Sequence, residues 1–166
     1  MTPSPLDPSR AGQEPAADRT VTTSRRLAAT PLEVFAAFVA ADRLARWWGP
    51  KGFRNTFELF EPQVGGRWRF VMHGPNGADY RNESRFEALD PGARVVIRHV
   101  AKPTYTLTVT LAAEGGGTRL TWSQAFDEAR VLTSIRHIVV PSNEENLDRL
   151  EAELARGAAE GVGAGA

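Results

Sequence analysis

One histidine carries most of the chemistry that this chain could do. An imidazole titrates near neutral pH, so His99 is a candidate general acid or base. A turn at Pro91-Gly92 would place Ser84 directly across a strand pair from His99, as a nucleophile and its base require. Tyr105 supplies a further hydroxyl in the same inward row. A triad also needs a carboxylate to orient the ring, and none is expected to point inward. The preferred reading is therefore a hydrogen-bonded pocket histidine, with His99, Ser84 and Tyr105 as catalytic candidates only. His73 alternates to the outer face and His137 falls in the Val131–Val140 segment. No three ligands converge, and no metal site is expected. The absence of cysteine removes thiolate nucleophiles, disulfides and Cys-based metal sites. Gly115-Gly116-Gly117 joins two strands and precedes no helix, so it is not a phosphate cradle, and no cofactor is expected.

The elements that position these residues can be read from period and punctuation. Val21–Ala29 reads as a first strand. Thr30-Pro31-Leu32-Glu33 has the form of a helix start, with Thr30 as cap, Pro31 in the first turn and Glu33 completing a capping box. Val34, Phe35 and Phe38 form that helix's apolar stripe. Asp42 is expected to cap a second short helix that carries Leu44, Trp47 and Trp48 and stops at Gly49-Pro50. From Phe53 to Phe126 the period is two, with turn signals that predict an antiparallel meander. Ser142-Asn143-Glu144-Glu145 reads as a capping box that opens a last helix with Leu147, Leu150 and Leu154 on one face.

Hairpin registers test one another. The turn at Pro91-Gly92 pairs Phe86 with Ile97, and a turn at Gly115-Gly116 pairs Leu111 with Leu120, Val109 with Trp122, Leu107 with Gln124 and Tyr105 with Phe126. A three-residue loop at Pro75-Asn76-Gly77 pairs Met72 with Tyr80 and Trp68 with Ser84. The three agree in placing apolar partners together. The concave face then presents Trp68, Phe70, Asn82, Ser84, Phe86, His99, Tyr105, Trp122 and Gln124, and the last helix adds Asn143, Asn146 and Leu150. Apolar walls with sparse polar groups suit a small-molecule pocket, and these twelve residues are the expected ligand contacts. Trp47 and Trp48 are read as core and as a cap on the helix-to-strand turn.

A chain of 166 residues with zero formal net charge fits one domain. Its 18 arginines against 2 lysines are scattered, so neither nucleic acid nor an anionic membrane is an expected partner. No segment reaches the roughly 18 apolar residues that a membrane span needs. With no apolar signal core at the N-terminus, a cytoplasmic location is expected. Residues 1–19 read as a disordered Pro-rich tail, 20–156 as the folded domain and 157–166 as a flexible Gly/Ala tail.

Arg43-Leu44-Ala45-Arg46-Trp47-Trp48-Gly49-Pro50-Lys51-Gly52-Phe53, Gly65-Gly66-Arg67-Trp68-Arg69-Phe70 and Gly117-Thr118-Arg119-Leu120-Thr121 together resemble the Hsp90-ATPase-activator-homologue (AHSA1-like) family. That group belongs to the START-like, or SRPBCC, superfamily, and the similarity spans about residues 20–156. The resemblance implies an α+β helix-grip (START-like, Bet v 1-like) fold. In it a curved antiparallel sheet wraps round a long C-terminal helix, and two short helices follow the first strand. It also implies a cavity for a small hydrophobic ligand. The chain departs from the family pattern at Glu61-Pro62-Gln63-Val64 and at Pro141–Asn146, where many members carry Gly-Gly-Trp. The residues before the domain are too few for the eukaryotic co-chaperone's additional N-terminal domain, so an Hsp90-type chaperone is not the expected partner. A homodimer stays open.

The leading expectation is binding of an apolar or aromatic small molecule. The competing readings are a cyclase, dehydratase or hydrolase using His99 with Ser84 or Tyr105, and an interaction module docking through its outer face or the Trp47–Pro50 loop.

Overall fold

The computed structural model describes residues 15–164, so most of the expected N-terminal tail lies outside the described residues. After a 3-10 turn at Ala16–Arg19 come β1 (Thr20–Leu27), α1 (Pro31–Val39), α2 (Ala41–Trp47), β2 (Arg54–Phe60), β3 (Arg67–His73) and β4 (Asp79–Asp90). Then follow β5 (Arg94–His99), β6 (Tyr105–Glu114), β7 (Gly117–Phe126) and α3 (Ala129–Ala164). The strands form one antiparallel sheet in the order β1-β7-β6-β5-β4-β3-β2, and β1 reaches its edge by crossing to β7. This is the expected helix-grip arrangement, with α1, α2 and α3 on the concave side.

Local chemistry explains the elements. Thr30 accepts from the Glu33 backbone N–H at 3.3 Å and donates its own backbone N–H to the Glu33 carboxylate at 2.9 Å, a complete capping box. The second helix corrects the sequence reading. Its N-cap is Ala40, without a side-chain cap, and Asp42 sits in the first turn, where its charge favours the positive end of the helix dipole. Gly66 has no alternative, because a Cβ there would stand 2.0 Å from the Glu61 carbonyl oxygen.

The three predicted hairpin registers are all present. That at β4–β5 arises differently from the reading. The loop holds three residues, Pro91–Ala93, since Asp90 pairs with Arg94, and a β-bulge between Phe86 and Ala88 cancels the extra residue. Phe86 still meets Ile97 and Ser84 still meets His99.

α3 is the largest correction. It begins at Ala129, well before the expected start at Ser142, and runs through Pro141 to Ala164, covering much of the expected Gly/Ala tail. Leu132 is buried, and Val131, Ile135 and Val139 pack with it against Val21 and Phe126. Burial of this 3.6-period stripe outweighs the backbone hydrogen bond that Pro141 cannot make. The main core lies between the sheet, α1, α2 and the second half of α3, and includes Phe38, Trp47, Trp68, Phe86, Ile97, Leu147 and Leu150.

Candidate functional site

Between the sheet and the middle of α3 lies a cavity of about 180 Å³. Its inner wall comes from strands: Phe70 of β3, His99 of β5, Tyr105 and Leu107 of β6, Trp122 and Gln124 of β7. The remaining wall comes from Trp48, Gly49 and Pro50 after α2, from Met72 and Asn82, and from Ser142, Asn143 and Asn146 of α3. No Lys, Arg, Asp or Glu lines it. A larger depression of about 570 Å³, bordered by Lys102–Thr104 and Asp127–Val131, lies away from this interior.

Of the residues expected to touch a ligand, Phe70, Asn82, His99, Tyr105, Trp122, Gln124, Asn143 and Asn146 line the cavity. Trp68, Ser84, Phe86 and Leu150 do not. They are fully buried on the same concave side, where sheet and helices close upon each other. Trp68 meets Trp48 edge-on at 5.2 Å and Phe86 at 5.0 Å, so it is part of an aromatic core. Its indole N–H and that of Trp122 have no oxygen or nitrogen acceptor among the described residues.

His99 and Tyr105 are cross-strand partners whose rings stack at 4.7 Å with 22° between their planes. Ser84 Oγ lies 3.1 Å from His99 Nδ1. The serine is only 1% exposed, and this ring nitrogen is the partner its hydroxyl has among the described residues. When Ser84 donates to Nδ1, both groups are satisfied and the imidazole proton resides on Nε2. Burial, reinforced by the neighbouring Arg98 charge, lowers the His99 pKa to about 4, and burial raises that of the Tyr105 phenol. Both groups are thus neutral at pH 7. Ser84 stands behind the imidazole, outside the cavity wall, so it orients His99 and offers no open nucleophile.

Asn143 donates to Gln124 Oε1 at 3.0 Å, which turns the Gln124 amide so that its NH2 remains for other acceptors. Asn146 is already engaged: it donates to the Trp47 carbonyl at 2.7 Å and accepts from the Gly49 N–H at 3.3 Å. Its role is to fasten the Trp47–Pro50 loop to α3 rather than to orient a ligand.

Arg149, which the sequence reading does not single out, completes that fastening. Its guanidinium donates to the carbonyls of Arg46, Trp48, Gly49, Pro50 and Phe53 at 2.7 to 3.0 Å. The signal available was an arginine one turn after Asn146 and one turn before Glu153, a polar stripe beside the leucine face of the helix. Gly49, at φ +95°, gives the loop the curvature that turns these carbonyls toward α3. Trp47 and Trp48 are buried, as read. Among the described residues no three His, Asp or Glu side chains are grouped as metal ligands, and no helix is long and apolar enough to cross a membrane.

A sheet closed over a long helix around a small uncharged cavity defines a START-like helix-grip protein. More narrowly, the model of the activator of Hsp90 ATPase homolog 1-like protein family matches residues 28–155, and the chain belongs to that family. Among solved structures, a Nitrosomonas europaea protein aligns with a TM-score of 0.79 at 20% identity, over 86% of this chain and 98% of its own. One from Chromobacterium violaceum gives 0.71 at 25% identity, over 80% and 95%. An AHSA1 protein from Silicibacter pomeroyi gives 0.66 at 21%, over 83% and 99%. No curated protein matches the chain significantly.

Proposed function

We propose that the protein binds a small apolar or aromatic molecule in the cavity between β3–β7 and α3. The observation that carries this reading is the cavity itself, about 180 Å³, walled by Phe70, Leu107, Trp122 and Trp48 and carrying a few uncharged polar groups. Apolar walls supply affinity and sparse polar groups supply orientation. A void of about 150 Å³ already accommodates benzene, so the ligand is on the scale of one ring with a short substituent. The family supports a ligand-binding type of fold.

The position of Ser84 argues against a hydrolase working through a serine nucleophile, and burial of Trp47 and Trp48 argues against docking through those rings. Native mass spectrometry of the purified protein tests the proposal. A co-purified mass of one to two hundred daltons (roughly, at the scale of single-ring ligands), lost on denaturation, is expected. An unliganded protein whose melting temperature responds to no member of a single-ring aromatic library would overturn it.

A further inference from the structure

Resting on the cavity-binding reading, we propose that the ligand is an uncharged aromatic molecule bearing a carbonyl oxygen, and that this oxygen is held at the β5–β7 wall by hydrogen bonds from His99 Nε2–H and Tyr105 O–H. With Nδ1 committed to Ser84 at 3.1 Å, the Nε2 edge is the polar part of His99 left for the cavity that this residue lines. The Tyr105 hydroxyl has no hydrogen-bond partner among the described residues; its interactions are ring contacts with His99 and Phe126. Gln124, diagonal to Tyr105 across β6 and β7, keeps its NH2 free because Asn143 occupies its oxygen. Three side chains on one wall thus offer protons. A ligand that meets them needs an acceptor.

Charge narrows the acceptor. A carboxylate in this cavity would lose its hydration without meeting a cation. Arg98, the arginine next to His99, is held by Asp127 through two contacts of 2.6 Å, and Arg149 is spent on backbone carbonyls. An ammonium would find no carboxylate lining the cavity. A neutral carbonyl oxygen has two lone pairs, carries no proton of its own and suits a wall of donors. The aromatic part of the ligand follows from Trp48, Phe70 and Trp122, which present ring surface on the other sides.

The test uses acetophenone, ethylbenzene as its carbonyl-free counterpart, and benzoate, with affinities from ligand-observed NMR and the carbonyl stretch of bound acetophenone from infrared spectroscopy. The expected stretch lies below its value in an apolar solvent and at or below that in water. Tyr105→Phe, which keeps the ring stack, is expected to weaken acetophenone roughly fivefold, as loss of one hydrogen bond implies. Ethylbenzene binding should stay unchanged. If Tyr105→Phe affects acetophenone and ethylbenzene alike and the stretch is unshifted, the donor assignment falls while the cavity reading stands. Benzoate binding more tightly than acetophenone at pH 7 overturns the neutral-ligand assignment. Failure of all three probes to bind overturns the aromatic-carbonyl assignment, and the cavity reading is then decided separately by the native mass spectrum and the library screen. The infrared measurement on the unaltered protein keeps the test decisive even if Tyr105→Phe folds poorly.

Discussion

The His99 imidazole is 7% exposed and bound through Nδ1 to a buried serine, so folding selects its neutral form. Its folded pKa of about 4 lies below the unfolded value of 6.5. The linked stability is complete above pH 6.5 and is lost as pH falls through 6.5 toward 4, because the unfolded chain takes up the proton first. Denaturant titrations across that window should show a decline, on the order of 3 kcal/mol in total. In His99→Gln, which cannot titrate there, that decline should vanish. Arg149 presents a different single-residue dependence. A lysine ammonium has three donors and cannot span five carbonyls spread from Arg46 to Phe53. Arg149→Lys is expected to cost about 2–4 kcal/mol in chemical denaturation. Because the loop also contributes cavity wall through Trp48 to Pro50, the same change should weaken any ligand of the cavity.

Among the elements, the strands were legible in the sequence because their period is two and their turns carry Gly, Pro and Asn at the required positions. The β4–β5 pairing shows how far that legibility extends. A two-residue turn without a bulge and a three-residue loop with one give the same partners for Phe86 and Ser84, and no sequence pattern separates them. The face of each strand residue was therefore readable, but its depth was not. Trp68 and Phe70 alternate to the same side and both belong to the aromatic core, yet only Phe70 also lines the cavity. Trp48, Gly49 and Pro50 reach the cavity from irregular backbone and Ser142 from the interior of a helix rather than its start, while Met72 and Leu107 lie on strand faces whose depth no period gives. In α3 only the first part, before Ser142, is illegible in the sequence, because Pro141 and a plausible capping box both mimic a helix start. Its two halves differ in support, the first packed on a small cluster around Leu132 and the second on the main core through Leu147, Leu150 and Leu154. Amide hydrogen exchange should accordingly show lower protection over 131–140 than over 146–156. Equal protection across Pro141 would contradict this division.

At the scale of the whole molecule, carboxylates clasped by arginines tie the layers together. Glu153, nearly inaccessible on α3, is met by Arg43 and Arg46 from α2 and by Arg156. Burial acts to raise its pKa, but hydrogen bonds from Arg46, Arg156 and Arg43 outweigh that and hold it well below the usual carboxylate range. Asp127 closes the other end of the sheet. Hydrogen bonding from Arg98 is the largest influence on it, and with Thr104 it overcomes desolvation to lower the pKa from 3.8 to about 2. Both groups stabilise the fold above their unfolded values of 3.8 and 4.5, and lose that stability as pH falls, Asp127 through about 2 and Glu153 lower still. An acid transition should therefore follow the His99-linked decline, and Asp127→Asn should flatten the part of it between about pH 4 and 2. Glu153→Gln should be the more damaging change near neutral pH, since it leaves three guanidinium groups without their shared anion.

Tyr105 packs against both hydrophobic clusters, and the cavity it lines is bordered on α3 by Ser142, Asn143 and Asn146, just past Pro141. The cavity thus lies at the joint between the two clusters. A molecule seated there would act as a keystone. Without it, the Leu132 cluster can melt ahead of the rest, in a broad and probe-dependent unfolding curve. With it, the two clusters share a common body and should unfold in a single sharper transition, so occupancy would register in the width of the melting curve as well as in its midpoint.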